Sequence, residues 1–274
     1  MIRTPTTGLS LLRYGAFSQA ALRREGVYRV NVVVGLLGLV LGLYVLHLVW
    51  TELYRANAAI APAGITLPAM LTYMVIGQLA LLVVQVDSTP LIREKVREGI
   101  IAYDLLRPVR FPLYLFADNL GSAAFRLLIA LPAAVLAALL LDVQLPPDGE
   151  HVLAFGLSLG LGFVIAFLLD FLANLTAFWT LETFGLQYML RFAGFVLSGV
   201  FVPLWFFPDV WRPLVTALPF ASIYGTPLSI FVGRLGGIEL WSAVLIQVAW
   251  TLLLAAAAGL AWSAAERRVV VQGG

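Results

Sequence analysis

The 274-residue chain has no cysteine, a single lysine and two histidines, and only 12% of its residues are charged. Without cysteine there is no disulfide framework, no thiolate metal site and no cysteine nucleophile. The one lysine, Lys95, follows Glu94 rather than a glycine-rich run, so there is no GxxxxGK phosphate loop and the chain cannot be its own P-loop ATPase. His47 and His151 stand far apart without neighbours at ligand spacing, which argues against a metal site. No catalytic constellation is found, and no cofactor is expected on this chain.

What is abundant is apolar. Hydrophobic residues make up 61% of the sequence and the mean hydropathy is +0.96, whereas a soluble domain has about a quarter of its residues charged. A water-soluble core could not hide that surface, so the expectation is an all-α integral membrane protein. The first 29 residues carry Arg3, Arg13, Arg23, Arg24 and Arg29 without an apolar run of signal-peptide length, so the N-terminus is expected to be retained.

A hydrocarbon core of about 30 Å needs roughly 20 apolar residues per helix. Apolar runs predict six spans, at 30–50, 67–86, 120–141, 152–177, 189–206 and 240–262. Tyr28 and Trp50 bracket the first and Trp241 and Trp262 the last, where amphipathic rings prefer to sit. The 214–233 stretch is apolar but broken by Pro219, Gly225 and Pro227, and it reads as part of an external or re-entrant hairpin at 207–239 rather than a seventh crossing. Before the first span, Leu11, Tyr14, Ser18 and Leu22 recur at helical spacing with Arg13 and Arg24 roughly opposite, so residues 1–29 are expected to form an amphipathic interfacial helix ahead of a 30–274 transmembrane domain.

Six spans put both termini on one side, and the arginines choose it. Of the 17 Lys and Arg residues, only Arg55, Arg212 and Arg234 fall on the other side, with Arg126 inside a span. This bias places both termini and the 87–118 loop in the cytoplasm. It also explains the net charge of +2 and a pI near 9.0 without a nucleic-acid partner.

Polar information concentrates in that loop. Thr89 can cap a helix, Pro90 suits its first position and Gly99 its stop. Glu94 with Arg97 and Lys95 with Glu98 are opposite charges at i,i+3. The segment reads either as a solvated surface helix or as a docking element for a cytoplasmic partner, with Arg93, Glu94, Lys95, Arg97, Glu98, Gly99, Asp104 and Arg107 as its candidate residues. Within the membrane, Arg126 and Asp170 fall at matching depths, and each alone costs on the order of 2.5 to 3.5 kcal/mol. They are expected to form a structural ion pair, the competing role for Asp170 being a proton relay or substrate site. Gln78 and Gln85, seven apart on one face, either line a polar path or bond to a neighbouring helix. Glycines at 38 and 42 and at 156 and 160 permit close helix packing.

The runs Arg97-Glu-Gly-Ile-Ile-Ala-Tyr-Asp-Leu-Leu-Arg-Pro108, Phe178-Trp-Thr-Leu-Glu182, Ser198-Gly-Val-Phe-Val-Pro-Leu-Trp-Phe-Phe-Pro208, Leu218-Pro-Phe-Ala-Ser-Ile-Tyr-Gly-Thr-Pro227 and Arg267-Arg-Val-Val-Val-Gln-Gly-Gly274 together carry a resemblance. In them the chain resembles the membrane permease subunits of bacterial type-2 ATP-binding-cassette (ABC) exporters. The resemblance implies a coupling helix in the first cytoplasmic loop and two permease subunits, identical or sister chains, in the bacterial inner membrane. It also implies two separate ATPase subunits that hold the ATP and Mg²⁺, and a translocation path at the permease dimer interface. By helix position, Gln78, Gln85, Phe195 and Phe201 would line that path. The alternatives are an ion-coupled secondary transporter or a non-catalytic structural membrane subunit.

The topology is directly testable, because the chain lacks cysteine. Ala58→Cys and Gly149→Cys should react with an impermeant thiol reagent added outside, and Gly99→Cys should not. Outside labelling at position 99 overturns the orientation.

Overall fold

A backbone that leaves water must satisfy its own hydrogen bonds, and a single segment does so only as a helix. The computed structural model describes residues 7–27, 29–56, 65–140, 143–180 and 184–272, which form helices joined by turns and loops, with no strand among them. Among the described residues, five helices are long and apolar enough to cross a membrane: Val34–Ala56, Leu67–Val84, Phe111–Leu139, Gly149–Phe178 and Gly237–Arg268. They lie within α2 (Arg29–Ala56), α3 (Leu67–Val84), α6 (Phe111–Leu140), α7 (Gly149–Leu175) with its closing 3-10 turn, and α11 (Gly237–Gln272).

Between α3 and α6 lie α4 (Lys95–Arg97), entered through a π-helical turn Pro90–Glu94, and α5 (Ile101–Leu105). Because α6 begins at Phe111 rather than near residue 120, the loop is shorter than the expected 87–118. Gly99 has φ +73°, the left-handed stop its position predicted. Thr89 does not act as a cap: its backbone is helical and its side chain makes no cap bond. Asp87 takes that part, accepting the Thr89 N–H at 3.1 Å.

α7 and α11 run side by side in the same direction. Trp241 Nε1 donates to Glu150 at 2.7 Å and Ser158 Oγ to Gln247 Oε1 at 2.8 Å, while the Trp262 ring meets Phe171 and Phe178 further along. The start of α11 therefore lies beside the start of α7, and the chain between them must travel the length of the bundle. It does so through α8 (Phe184–Leu197), whose Gln187 reaches Asn174 near the end of α7 and beyond which the Gly199 carbonyl accepts the Tyr73 hydroxyl at 2.9 Å. α8 has 14 residues and ends at Leu197, so the fifth expected span, 189–206, is only partly helical. Gly199 at φ +81° and Pro203 break it, and the chain continues to a 3-10 turn at Leu204–Phe206. The Tyr28 expected to bracket the first span lies outside the described residues.

The short α9 (Arg212–Ala217) and α10 (Gly225–Phe231) follow, with α10 buried against α7 and α3. Their connection reaches the middle of α7, where a Cβ on Gly162 would lie 2.5 Å from the Ile223 carbonyl oxygen. Gln247 locks it there by donating to the Ser158 and Ser222 carbonyls.

α1 (Thr7–Val27) does not stand apart from the bundle. It packs lengthwise and parallel on the first half of α6. Tyr14 Oη accepts the Arg110 N–H, Ser18 Oγ donates to the Ala117 carbonyl at 2.7 Å, and Arg24 makes two bonds to Asp118, at 3.2 and 3.0 Å. The Asp118 carboxylate holds the Arg24 pKa above its ordinary value. Gly121 makes the approach possible, since a Cβ there would sit 2.1 Å from the Ser18 carbonyl oxygen. By contrast Gly38, Gly42, Gly156 and Gly160 have nothing within 4 Å, so the two GxxxG spacings make no close packing within this chain.

Gly121→Ala should therefore destabilise the purified protein by on the order of 1 to 3 kcal/mol, through overpacking against backbone. Gly156→Ala should leave the melting temperature unchanged or slightly raised, since alanine favours helix by about 0.5 to 1 kcal/mol. Thermal unfolding in detergent measures both, and equal melting temperatures for the two variants would contradict the close contact.

Candidate functional site

The end of the bundle that carries the 85–110 loop is rich in ion pairs. In the loop, Asp104 is 6% exposed and accepts Lys95 on one carboxylate oxygen and Arg107, at 3.2 Å, on the other. Lys95, Asp104 and Arg107 are thus internal stitches that hold α4 to α5. The expected i,i+3 pairs do not form among the described residues: Lys95 turns to Asp104 instead of Glu98, and Glu94 and Arg97 point outward without each other. A buried acid offers the ammonium a shielded partner, whereas an exposed pair gains only about 0 to 1 kcal/mol. Arg93 is half-buried.

Beneath the charges the loop is anchored in the core. Ile92 and Ile101 are buried in one cluster with Val84, Phe111, Leu115, Phe171, Leu175 and Phe178. Its outer face is apolar as well as charged, since Tyr103 is 72% and Leu106 81% exposed, with Ile100 one turn before Tyr103. Sequence reasoning on the residues missed Tyr103 and Leu106, because α5 is too short for a three-residue spacing to register as a face.

Behind the loop a polar chain links four elements. Ser88 N donates to Asp170 at 2.9 Å, Asn119 Nδ2 donates to Ser88 Oγ at 3.3 Å, and Asn119 Oδ1 accepts the Asp87 N–H. Asp87 pairs with Arg191 of α8 at 3.0 Å, and Gln187 donates to Asn174 at 2.5 Å. Asp170 is therefore held by the backbone of the loop, not by Arg126. The expected Arg126–Asp170 ion pair does not form: Arg126 Nε donates to the Ser122 carbonyl at 3.1 Å on its own helix. The two residues also lie at different levels: Asp170 shares Ser88 with Asn119 of α6, and Arg126 is about two turns further along that helix, in a different cavity.

One cavity, of about 400 Å³, lies between α3, α7, α8 and the α9–α10 connection, and Gln85, Asp170, Gln187, Arg191, Phe195 and Tyr224 are among its walls. A second, of about 480 Å³, lies between α1, α2, α3 and α6, and holds Gln78, Gln85 and Arg126. Of the four residues expected on a path, Gln85 and Phe195 reach the first cavity and Gln78 only the second. Phe201 stacks on Phe195 at 4.2 Å between centroids. Gln85 is the residue directly after α3 and shares the second cavity with Gln78.

Residues without a shared partner do not couple, so Arg126→Leu and Asp170→Asn should have additive effects on stability, within about 0.3 to 0.5 kcal/mol. A double-mutant cycle by thermal unfolding measures this, and a double variant more stable than either single would restore the ion pair. The chain matches the family model described as ABC-2 family transporter protein over residues 40–273, which is most of its length. No curated protein matches it, and no solved structure does.

Proposed function

We propose that this chain, which belongs to the ABC-2 transporter family, is the membrane-crossing subunit of an ATP-driven exporter, with six crossings and both termini in the cytoplasm. The parallel course of α7 and α11 supports the sixth crossing, because α8 and the segment to Phe206 have to carry the chain from one end of the bundle to the other. On this reading α1 stands along the cytoplasmic half of α6, and the α9–α10 segment is a re-entrant hairpin from the outside. Trp50, Trp205 and Phe206 then cluster at the outer boundary, where aromatic rings favour the interface.

The observation that carries the reading is the build of the 85–110 loop. It is stiffened by the Lys95–Asp104–Arg107 stitch and tied to the core by Ile92, Ile101 and the Ser88–Asp170 bond, yet it presents Tyr103 and Leu106 to solvent. Exposed apolar residues on the same loop as the exposed charges Glu94, Arg97 and Glu98 have the composition of a protein contact, which combines apolar and polar groups. A separate ATPase subunit, which would hold ATP and Mg²⁺, docks there. Its closure pushes on the loop, and Ile92, Ile101 and Ser88 pass the displacement to α7. The exposed face of α8, with Met189, Phe192 and Phe195, receives a second permease subunit, identical or a sister chain. The cavity beside it, walled by Gln85 and Phe195, opens onto the path between the two. The setting is the inner membrane of a bacterium.

Replacing Tyr103 and Leu106 by Ser should lower the amount of co-purified ATPase by about 10-fold or more, since central aromatic anchors contribute about 2 kcal/mol or more to an interface. Glu94→Lys with Glu98→Lys should weaken the same association or uncouple hydrolysis from export while the permease stays folded. Gly99→Val should impair coupling as well, because a β-branched residue resists the left-handed backbone found at position 99. Wild-type association and substrate-stimulated hydrolysis in all three would remove the ATPase from this loop.

A further inference from the structure

Arg126 is the unresolved charge of the bundle. It sits on α6 beside Phe125 and Ile129, in a stretch of helix that is otherwise apolar. Its guanidinium makes one bond, from Nε to the Ser122 carbonyl at 3.1 Å, and no ion pair with any described residue. Five donors in a fixed fork cannot be satisfied by one carbonyl, and a lone cation in hydrocarbon costs on the order of 2.5 to 3.5 kcal/mol. The side chain opens into the cavity of about 480 Å³ between α1, α2, α3 and α6.

That cavity has a defined chemistry. Arg126 shares it with Glu25 at the end of α1 and with the amides of Gln78 and Gln85, while Gly38, Leu39 and Phe125 are among its apolar walls. Glu25 and Arg126 are opposite charges in one space that do not form an ion pair, so the space between them fits a ligand carrying both signs. On the α2 side a Cβ on Gly35 or Gly38 would meet nothing within 4 Å, which leaves a groove along the helix. The flanking Val34, Leu37, Leu128 and Leu131 are exposed apolar side chains, as lipid-facing residues are. An occupant can therefore keep a polar head inside and lay its chains along α2.

We propose that this cavity binds a membrane phospholipid with a primary ammonium in its headgroup, the phosphate against Arg126 and the ammonium toward Glu25. A phosphate supplies acceptors for the guanidinium fork, and Arg recognises phosphate in a paired geometry that Lys does not reproduce. The two glutamine amides donate to the remaining ester oxygens. The assignment stands apart from any ATPase contact, because it concerns the isolated membrane chain.

The test uses the full chain, purified in detergent and stripped of lipid, with binding read by native mass spectrometry and by the shift in melting temperature. The probes are dioleoyl phosphatidylethanolamine, dioleoyl phosphatidylglycerol, dioleoylglycerol and inorganic phosphate. Phosphatidylethanolamine should bind tightest, and Arg126→Gln should weaken both phospholipids by about 10-fold or more, as expected for loss of a charge-assisted bond. Glu25→Gln should erase the preference for ethanolamine over glycerol while phosphatidylglycerol still binds. Gly38→Leu, which fills the groove and leaves both charges in place, should weaken both phospholipids and covers the case in which Arg126→Gln fails to fold. Equal binding of dioleoylglycerol, or unchanged binding in Arg126→Gln or in Gly38→Leu, overturns the site. Inorganic phosphate stabilising the protein as well as the lipids do overturns the lipid assignment, and a preference unaffected by Glu25→Gln overturns the ammonium contact.

Discussion

Two neighbouring helices that run in the same direction impose a return path on the chain between them, and the α7–α11 pair imposes it here. The pairing is written in polar and aromatic contacts from Glu150 with Trp241, through Ser158 with Gln247, to Phe171 with Trp262. Residues between α7 and α11 must rise along the bundle once. They do so with a 14-residue helix and an irregular continuation instead of one long helix. The irregular part is tolerated because protein covers it: Tyr73 takes the Gly199 carbonyl and Arg212 takes the carbonyls of Trp205 and Phe207. What is left of the connection folds back as α9 and α10 and fills the gap between α3, α7 and α11.

The same economy governs the other end. One buried carboxylate, Asp104, organises the loop, and another carboxylate, Asp170, fixes the loop to α7 through the Ser88 N–H. Polar contacts between membrane helices contribute only about 0.6 kcal/mol on average. The Asp87, Ser88, Asn119, Asp170 and Arg191 contacts therefore matter less as stabilisers than as a fixed register. They tie the end of α3, the first half of α6, α7 and α8 into one unit, so a displacement of the loop is not absorbed locally.

Much of this was legible in the residues. The apolar run at 67–86 became α3 to within two residues, and Gly99 stops its helix with the backbone its position predicted. Rise per residue is constant, but a depth counted from a span's start depends on that start, and α6 begins at Phe111 rather than at 120. Arg126 thus lies about two turns beyond the level of Asn119 and Asp170, and the two side chains face different cavities. Lys95 was matched to Glu98 by helical spacing and captured by Asp104, because a tight loop brings a buried acid closer than the next turn does. The glycines at GxxxG spacing face open space, whereas Gly121, which carries no motif, makes the closest approach among the described glycines. A close approach depends on both surfaces, and one sequence window contains only one of them.

The seat of α1 has a consequence for how the protein is made. Ser18 bonds to a carbonyl 99 residues further along the chain, and Arg24 to a carboxylate 94 residues further on. At synthesis rates of about 5 to 20 residues per second, α1 leaves the ribosome roughly 5 to 20 seconds before α6 exists to receive it. During that interval α2 and α3 are already entering the bilayer, and the face of α1 that includes Tyr14, Ser18 and Ala21 has no partner from its own chain. A helix of mixed polarity can wait at the membrane surface, where a wholly apolar one would insert and a wholly polar one would drift away. The modest amphipathicity of the first 27 residues thus matches the order in which the chain is born as well as the place α1 finally occupies.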